Sequence, residues 1–287
     1  MPERPEPITP ASLRQWPLPE AGSSKHQRGD VLIIGGARRT PGAAVLAGLG
    51  ALRVGAGRIT LGIAESVAPA VAAVFPEAGV MGLPETASGA VRGAGVTALA
   101  RDISGASCVV AGPGLDDPDE AAILLRELVD LLEDETPVLL DAYALGTLAG
   151  ETRVRERLSG RLLLTPNVTE AGFLLGRDPG ELEDDAAEIA DRYGAVVSLM
   201  QMVAEPGGRR WEVTTGHSGL ATSGSGDVLA GAMAGLRARG ADSAQAACWA
   251  GYLHSAAGDR LSARIGPLGF LARELLDELP PLLTELG

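Results

Sequence analysis

Lysine is almost missing: of the 24 lysine and arginine residues, 23 are arginine and Lys25 stands alone. A Walker A loop needs Gly-Lys-Ser/Thr, a protein kinase needs its strand lysine, and a Schiff-base enzyme needs an amine; Lys25, between Ser24 and His26, fits none of these settings. Cysteine is equally sparse. Cys108 and Cys248 each lie inside an apolar run, which suits buried thiols and supplies neither a disulfide framework nor a zinc site. His217 and His254 have no second histidine or cysteine at metal-ligand spacing and are expected in loop or packing roles. No stretch approaches the ~20 apolar residues of a membrane span, so Gly231-x-x-x-Gly235 is no membrane dimer motif. The first residues carry Pro, Glu and Arg where a signal peptide would have an apolar core, so a cytoplasmic protein without membrane contact is expected. Positive charge is in deficit, with a net charge of −13, and nucleic acid is not an expected partner. Arg28-Gly29-Asp30 spells an adhesion tripeptide by accident.

What is present suffices for a full core. The chain has 287 residues, 46% hydrophobic and 21% charged, long for one compact domain and short for two enzymes, so one large α/β domain is expected. Residues 1–27 hold Pro2, Pro5, Pro7, Pro10, Pro17 and Pro19, a composition suited to an arm on the surface more than to a core element, and residues 28–287 read as the single domain. An apolar strand, Val31-Leu32-Ile33-Ile34, runs through Gly35-Gly36 into a helix from about Gly42 to Val54. β-rich runs follow at Arg58–Ile63, Cys108–Ala111, Val138–Leu140, Arg161–Leu164 and Ala195–Leu199, mostly separated by helical periodicity such as Glu120–Leu132 and Asp185–Tyr193. This alternation predicts a three-layer α/β/α sandwich with a mainly parallel central sheet. A turn signal at Glu205–Gly208 between two β-like stretches predicts an antiparallel hairpin at the edge. Three helical stretches follow, about Ser225–Arg239, Ser243–Leu261 and Leu268–Leu279, the last ending at Pro280-Pro281. No fixed-period repeat occurs.

The sharpest feature is Gly219-Leu220-Ala221-Thr222-Ser223-Gly224-Ser225-Gly226-Asp227-Val228-Leu229-Ala230-Gly231. Gly224 and Gly226 let the chain turn tightly into a helix whose apolar positions, Val228, Leu229, Ala232 and Leu236, face the core. Its first-turn amides form an anion site that requires no lysine. Asp227 sits among them. Beside a phosphate, a carboxylate serves as a base against a substrate hydroxyl or as an indirect metal partner; an Asp there also stabilises a helix start, by ~0.3–1 kcal/mol.

In order along the chain, Lys25-His26-Gln27-Arg28-Gly29, Gly35-Gly36-Ala37, Pro41-Gly42-Ala43, Ala51-Leu52-Arg53-Val54-Gly55-Ala56-Gly57, Gly112-Pro113-Gly114, Asp141-Ala142, Thr165-Pro166-Asn167 with Glu170, and Gly224–Asp227 resemble the motifs of the carbohydrate-kinase-like NAD(P)H-hydrate dehydratases, over roughly residues 25–240. The resemblance implies a ribokinase-like fold and a cofactor-repair lyase that dehydrates NADHX or NADPHX to NADH or NADPH. It implies ADP as co-substrate, with ATP as the other adenine nucleotide, and phosphorylation of the hydrate hydroxyl followed by loss of phosphate. Many relatives carry a fused epimerase domain, for which this chain is expected to have no room. The resemblance makes Asp227 the base and assigns the phosphoryl group to the backbone amides of Gly224, Ser225 and Gly226. It places Gly42, Ala43, Gly114, Asn167 and Asp227 along the substrate. Glu170, in an Asn-x-x-Glu pattern, would help hold Mg2+ through water; Asn167 and Glu170 equally suit a helix N-cap and its N3 partner. Asp141, at a strand end, is a weaker candidate.

The departures from the family are Asn167 where histidine is common, Tyr143 where a second Asp is common, and no Lys-Gly pair after Val196–Met202. A hydrogen bond to a charged group is worth roughly 1.5–3 kcal/mol, so losing that lysine weakens nucleotide binding about ten-fold or more unless it is replaced. Arg38 and Arg39 are candidate replacements or plain loop cations. A small-alcohol kinase of the same superfamily, acting for instance on a vitamin precursor, and a catalytically lapsed nucleotide-binding protein remain as alternatives. Homo-oligomerisation is also open, and the helical carboxy-terminal third offers a surface for it.

Overall fold

Apolar runs too short for helices and without alternation bury themselves inside a parallel sheet, and this decides the frame. In the computed structural model, which describes residues 4–287, ten strands form one sheet. They are β1 (Glu6–Ile8), β2 (Asp30–Ile34), β3 (Arg58–Ala64), β4 (Ala78–Leu83), β5 (Cys108–Ala111), β6 (Val138–Leu140), β7 (Leu162–Leu164), β8 (Ala195–Leu199), β9 (Met202–Ala204) and β10 (Arg210–Val213). The order is β1-β10-β9-β8-β7-β6-β5-β2-β3-β4. Every neighbouring pair is parallel except the two made by β9. The hairpin expected at the edge therefore forms, but β1 lies outside it, parallel to β10.

The helices are α1 (Pro10–Gln15), α2 (Pro41–Arg53), α3 (Ala68–Val74), α4 (Ala100–Gly105), α5 (Pro118–Leu131), α6 (Tyr143–Leu148), α7 (Thr152–Leu158), α8 (Val168–Leu175), α9 (Leu182–Tyr193), α10 (Ser225–Ala238), α11 (Ser243–Arg264) and α12 (Ala272–Leu286). Alternate strand residues feed the two faces: Val31 and Ile33 pack with α2, α10, α11 and α12, while Leu32 and Ile34 pack with α5, α6 and α8. Each such buried side chain contributes ~1.5–3 kcal/mol of transfer free energy. Burial also pushes the Cys108 thiol up to about 12, and among the described residues both cysteines are free and buried.

Helices α2 and α10 touch backbone to backbone. A Cβ at Gly231 would collide with the Ala47 carbonyl oxygen, and one at Gly235 would lie 2.6 Å from the Ala51 oxygen. Gly224 abuts Leu46 and Gly235 abuts Ala51, so the helices run the same way and both begin at the end of the sheet where the parallel strands finish.

Three local expectations differ from the structure. Within the proline-rich lead-in, Glu6–Ile8 adds a strand to the sheet and Leu13 of α1 is buried. Main-chain acceptors anchor that segment: Trp16 O accepts from Trp249 Nε1 (2.9 Å) and Gln245 Nε2 (3.1 Å). Strand β4 gave no sequence signal because its glycine-containing run, Ala78–Leu83, is largely exposed at the opposite edge. Helix α12 begins at Ala272, after Gly266 and Gly269 at φ 140° and 99°, and passes through Pro280 and Pro281. Proline removes a helix hydrogen bond, but Leu275, Leu276, Leu279, Leu282 and Leu286 stay buried on both sides of the pair, and that packing holds the helix together.

Candidate active site

In an open α/β sheet the carboxyl ends of the parallel strands form one rim, where loops of different strands meet. The loops after β2 and β5 are stitched together there. Gly36 N–H donates to Pro113 O (2.8 Å), and Ala37 N–H and Thr40 Oγ1–H both donate to Gly114 O (2.8 Å each). A Cβ on Gly114 would stand 3.0 Å from the Ala43 Cβ, so these two expected site residues are neighbours, and Gly42 beside them faces open space. Gly112, at φ 134°, lets the β5 loop lie against Asp141, whose carbonyl oxygen a Cβ would strike.

Helix α10 starts at the same rim. Gly224 (φ 89°) is its N-cap and no side chain caps the helix. The Ser225 amide donates to Thr222 O (3.2 Å), which leaves that residue one main-chain donor poorer than the sequence suggested. Among the described residues the amides of Gly226 and Asp227 make no hydrogen bond, and Gly226 faces open space. Asp227, half-buried at the third helical position, has its carboxyl pushed up to about 6 by burial.

Asp141, weakly favoured from sequence, proves to be the hub of the acidic cluster. It is 7% exposed, accepts a hydrogen bond from Thr165 Oγ1 (2.9 Å), and has its carboxyl pushed up to about 7, first by burial and then by the Asp227 charge. Glu170 adds to that repulsion and is itself raised by burial. Ala142 next in sequence holds φ 50°, ψ −128°, a conformation that costs a non-glycine residue ~1–3 kcal/mol and gathers at functional sites. Asn167 and Glu170 form a reciprocal capping box on α8: Asn167 Oδ1 accepts from Glu170 N (3.0 Å) and Glu170 Oε2 accepts from Asn167 N (2.9 Å). Capping thus uses one Glu170 oxygen. A cavity of about 460 Å3 opens beside them, lined by Ala142, Tyr143, Asn167, Glu170 and Phe173.

Three carboxylates within electrostatic reach, with no cation among the causes of their shifts, suit a divalent ion by charge. They do not converge as ligands: among the described residues no group of three or more His, Cys, Asp or Glu could hold a metal by itself. Magnesium keeps most of its water, so the Glu170 oxygen that capping leaves over would suit it only through water.

Two further expectations resolve here. Arg38 is ion-paired with Glu85, its Nε 3.1 Å from Oε1, so it is a loop cation engaged elsewhere; Arg39 makes no ion pair among the described residues. The β8–β9 turn, where the family's lysine is absent, holds Met200, 57% exposed at φ 55°. His254, expected in a loop or packing role, is packed, and its partner is Ser225. It lies mid-helix in α11 with Nε2 2.8 Å from Ser225 Oγ and 3.0 Å from Ser225 O, and burial pushes its pKa down to about 4. A lone histidine 29 residues away gives no spacing signal; the small residues around it on one face of α11, Gly251 and Gly258, were the available hint.

Residues 31–281 match the model of the NAD(P)H-hydrate dehydratase family. An ADP-dependent (S)-NAD(P)H-hydrate dehydratase of Xanthomonas campestris is 42% identical over 97% of this chain and 96% of its own length. A bifunctional NAD(P)H-hydrate repair enzyme of Moorella thermoacetica is 37% identical over 95% of this chain, which spans 52% of that longer protein. Among solved structures, the ADP/ATP-dependent NAD(P)H-hydrate dehydratase of Bacillus subtilis, co-crystallised with ATP and Mg2+, is 30% identical, with a TM-score of 0.78 and 99% of each chain covered. With fold, rim and motif order in agreement, this chain belongs to the NAD(P)H-hydrate dehydratase family.

Proposed function

We propose that this chain dehydrates NADHX and NADPHX to NADH and NADPH at the expense of ADP, releasing AMP and phosphate. The observation that carries this reading is Asp227: a carboxyl with its pKa near 6, at a helix start whose Gly226 and Asp227 amides are open, is a base placed beside an anion site. Asp227 takes the proton of the hydrate hydroxyl as its oxygen attacks the β-phosphorus of ADP. The bond from that phosphorus to AMP breaks. The substrate C–O bond then breaks, phosphate departs with its electron pair, and the neighbouring ring carbon loses a proton to restore the double bond. Open amides aimed at the phosphoryl oxygens stabilise charge as it develops.

Gly42, facing open space beside Ala43 and Gly114, leaves room for a dinucleotide to approach the backbone, and Asn167 borders the separate cavity lined by Ala142, Tyr143 and Glu170. Asp141, pushed up to about 7 by burial and by the Asp227 charge, stays partly protonated at neutral pH and so limits the negative charge facing the phosphates. Bound magnesium would neutralise phosphate charge, held by Glu170 through water.

The test is to incubate the chain with NADHX, ADP and Mg2+ and follow the absorbance of recovered NADH. Asp227→Asn, which keeps the shape and removes the base, should lower turnover by about 10²–10⁴-fold with nucleotide affinity little changed. Equal activity in that variant removes Asp227 from the mechanism. A stable phosphorylated small alcohol, detected by mass, would point to a kinase instead.

A further inference from the structure

Helix α11 forms a continuous wall behind the segment that leads into α10. A Cβ at Gly251 would meet Val213 at 3.1 Å, one at Gly216 would meet Ser255 Oγ at 3.2 Å, and one at Gly258 would meet the Leu220 side chain. Asp259 Oδ2 accepts from Gly216 N–H (3.1 Å). Residues 251, 254, 255 and 258 recur at helical spacing, so one face of α11 carries the whole approach to the phosphoryl site. Besides Ser255, His254 is polar on that face; it lies at the end of the approach, 8% exposed, against Ser225, 4% exposed.

Nε2 lies within hydrogen-bond distance of two oxygens, Ser225 O at 3.0 Å, which can only accept, and Ser225 Oγ at 2.8 Å, which can donate or accept. The tautomer that serves the carbonyl carries its hydrogen on Nε2. The Ser225 hydroxyl, 2.8 Å from the same nitrogen, is then an acceptor toward His254. With Nε2 protonated, the hydroxyl's own hydrogen has no other protein acceptor among the described residues. Since the Ser225 amide is already spent on Thr222, the hydroxyl is what Ser225 has left to give.

We propose that His254 is a positioning residue, whose Nε2–H holds both the carbonyl and the hydroxyl oxygen of Ser225 so that the serine O–H is presented as a donor to the transferring phosphoryl group. The inference rests on the reaction proposed above. A bound phosphoryl group would thus meet three donors, the Gly226 and Asp227 amides and the Ser225 hydroxyl, the last oriented from α11. Replacing His254 leaves the substrate contacts in place and frees the serine to rotate, so the loss falls on kcat more than on KM.

The experiment combines kinetics with one spectrum. In the full chain, His254→Phe should lower kcat about ten-fold with KM for ADP changed less than about three-fold. His254→Gln, which keeps an N–H donor at similar reach, should recover most of the rate. Ser225→Ala should cost about as much as His254→Phe, and the double variant should be no slower than Ser225→Ala alone. Multiplying effects in the double variant, or a glutamine variant as slow as phenylalanine, would overturn the proposal. Should His254→Phe fail to fold, the glutamine variant and the wild-type tautomer decide: nitrogen-15 shifts of His254 at neutral pH should report Nε2–H, and Nδ1–H would overturn it. If the wild-type chain turns over no NADHX, the proposed reaction fails separately, and the tautomer still judges the His254 contact.

Discussion

Acid should switch the reaction off through a single carboxyl. With its pKa near 6, Asp227 is almost wholly ionised at about pH 7.5 and only roughly a tenth ionised at about pH 5, so kcat/KM for NADHX should fall about ten-fold between them. Asp141, pushed up to about 7, titrates second. It is therefore mostly neutral at the pH where Asp227 ionises, and the Asp227 charge then raises it further. Asp141→Asn should accordingly leave the acid limb within about half a pH unit of its wild-type position. Initial rates across the pH range, with saturating ADP and Mg2+, measure both limbs. A limb that drops by a full unit or more in Asp141→Asn would mean the carboxyls ionise in the reverse order, and a flat profile down to pH 5 would remove Asp227 as the base. Stability follows the same pair with a definite sign. Both folded carboxyls sit above their ordinary value of 3.8, so the folded chain holds protons that the unfolded chain releases, and stability falls as pH rises from about 4 to about 7. The Asp141 share is on the order of 4 kcal/mol, and Asp141→Asn should melt higher than wild type above pH 7 with little difference below pH 4.

Gly231→Ala should cost ~1–3 kcal/mol or more by wedging α10 off the Ala47 carbonyl; an unchanged melting temperature would contradict the backbone contact. Glu170→Gln keeps an acceptor for Asn167 N–H while removing the charge, so it should raise the Mg2+ concentration for half-maximal rate without lowering the melting temperature, whereas Glu170→Ala should also lose ~1 kcal/mol of capping. Trp211→Ala removes a ring stacked on Trp16 at 5.8 Å and covered by Arg209 at 4.7 Å and should cost ~3–5 kcal/mol in urea unfolding.

The alternating architecture was legible because buried strands such as Cys108–Ala111 leave an apolar run with turn residues on both sides, a local signal. Gly224–Asp227 was legible for the same reason, as one short string holds the turn, the open amides and the acid. Features decided by tertiary packing were not. Nothing in Glu6–Ile8 says that its partner is β10, and the prolines of α12 read as a stop because the buried leucine face that overrides them belongs to the packed state. The burial of Asp141 beside Asp227 was not legible, because it depends on the β6 and α10 ends meeting at the rim. Asn167 with Glu170 carries both of its readings at once, since the capping box is formed and a carboxylate oxygen is left over.

Strand β1 also sets a condition on the order of assembly. Ile8 O accepts from Thr214 Oγ1, 206 residues further along, and Glu6 lies opposite Trp211. During synthesis β1 has no strand to pair with until β10 has left the ribosome, and closing so long a loop is entropically slow. The earlier βαβ units can consolidate while it waits, so the outermost seam of the sheet should be the last to zip and the first to exchange its amide protons.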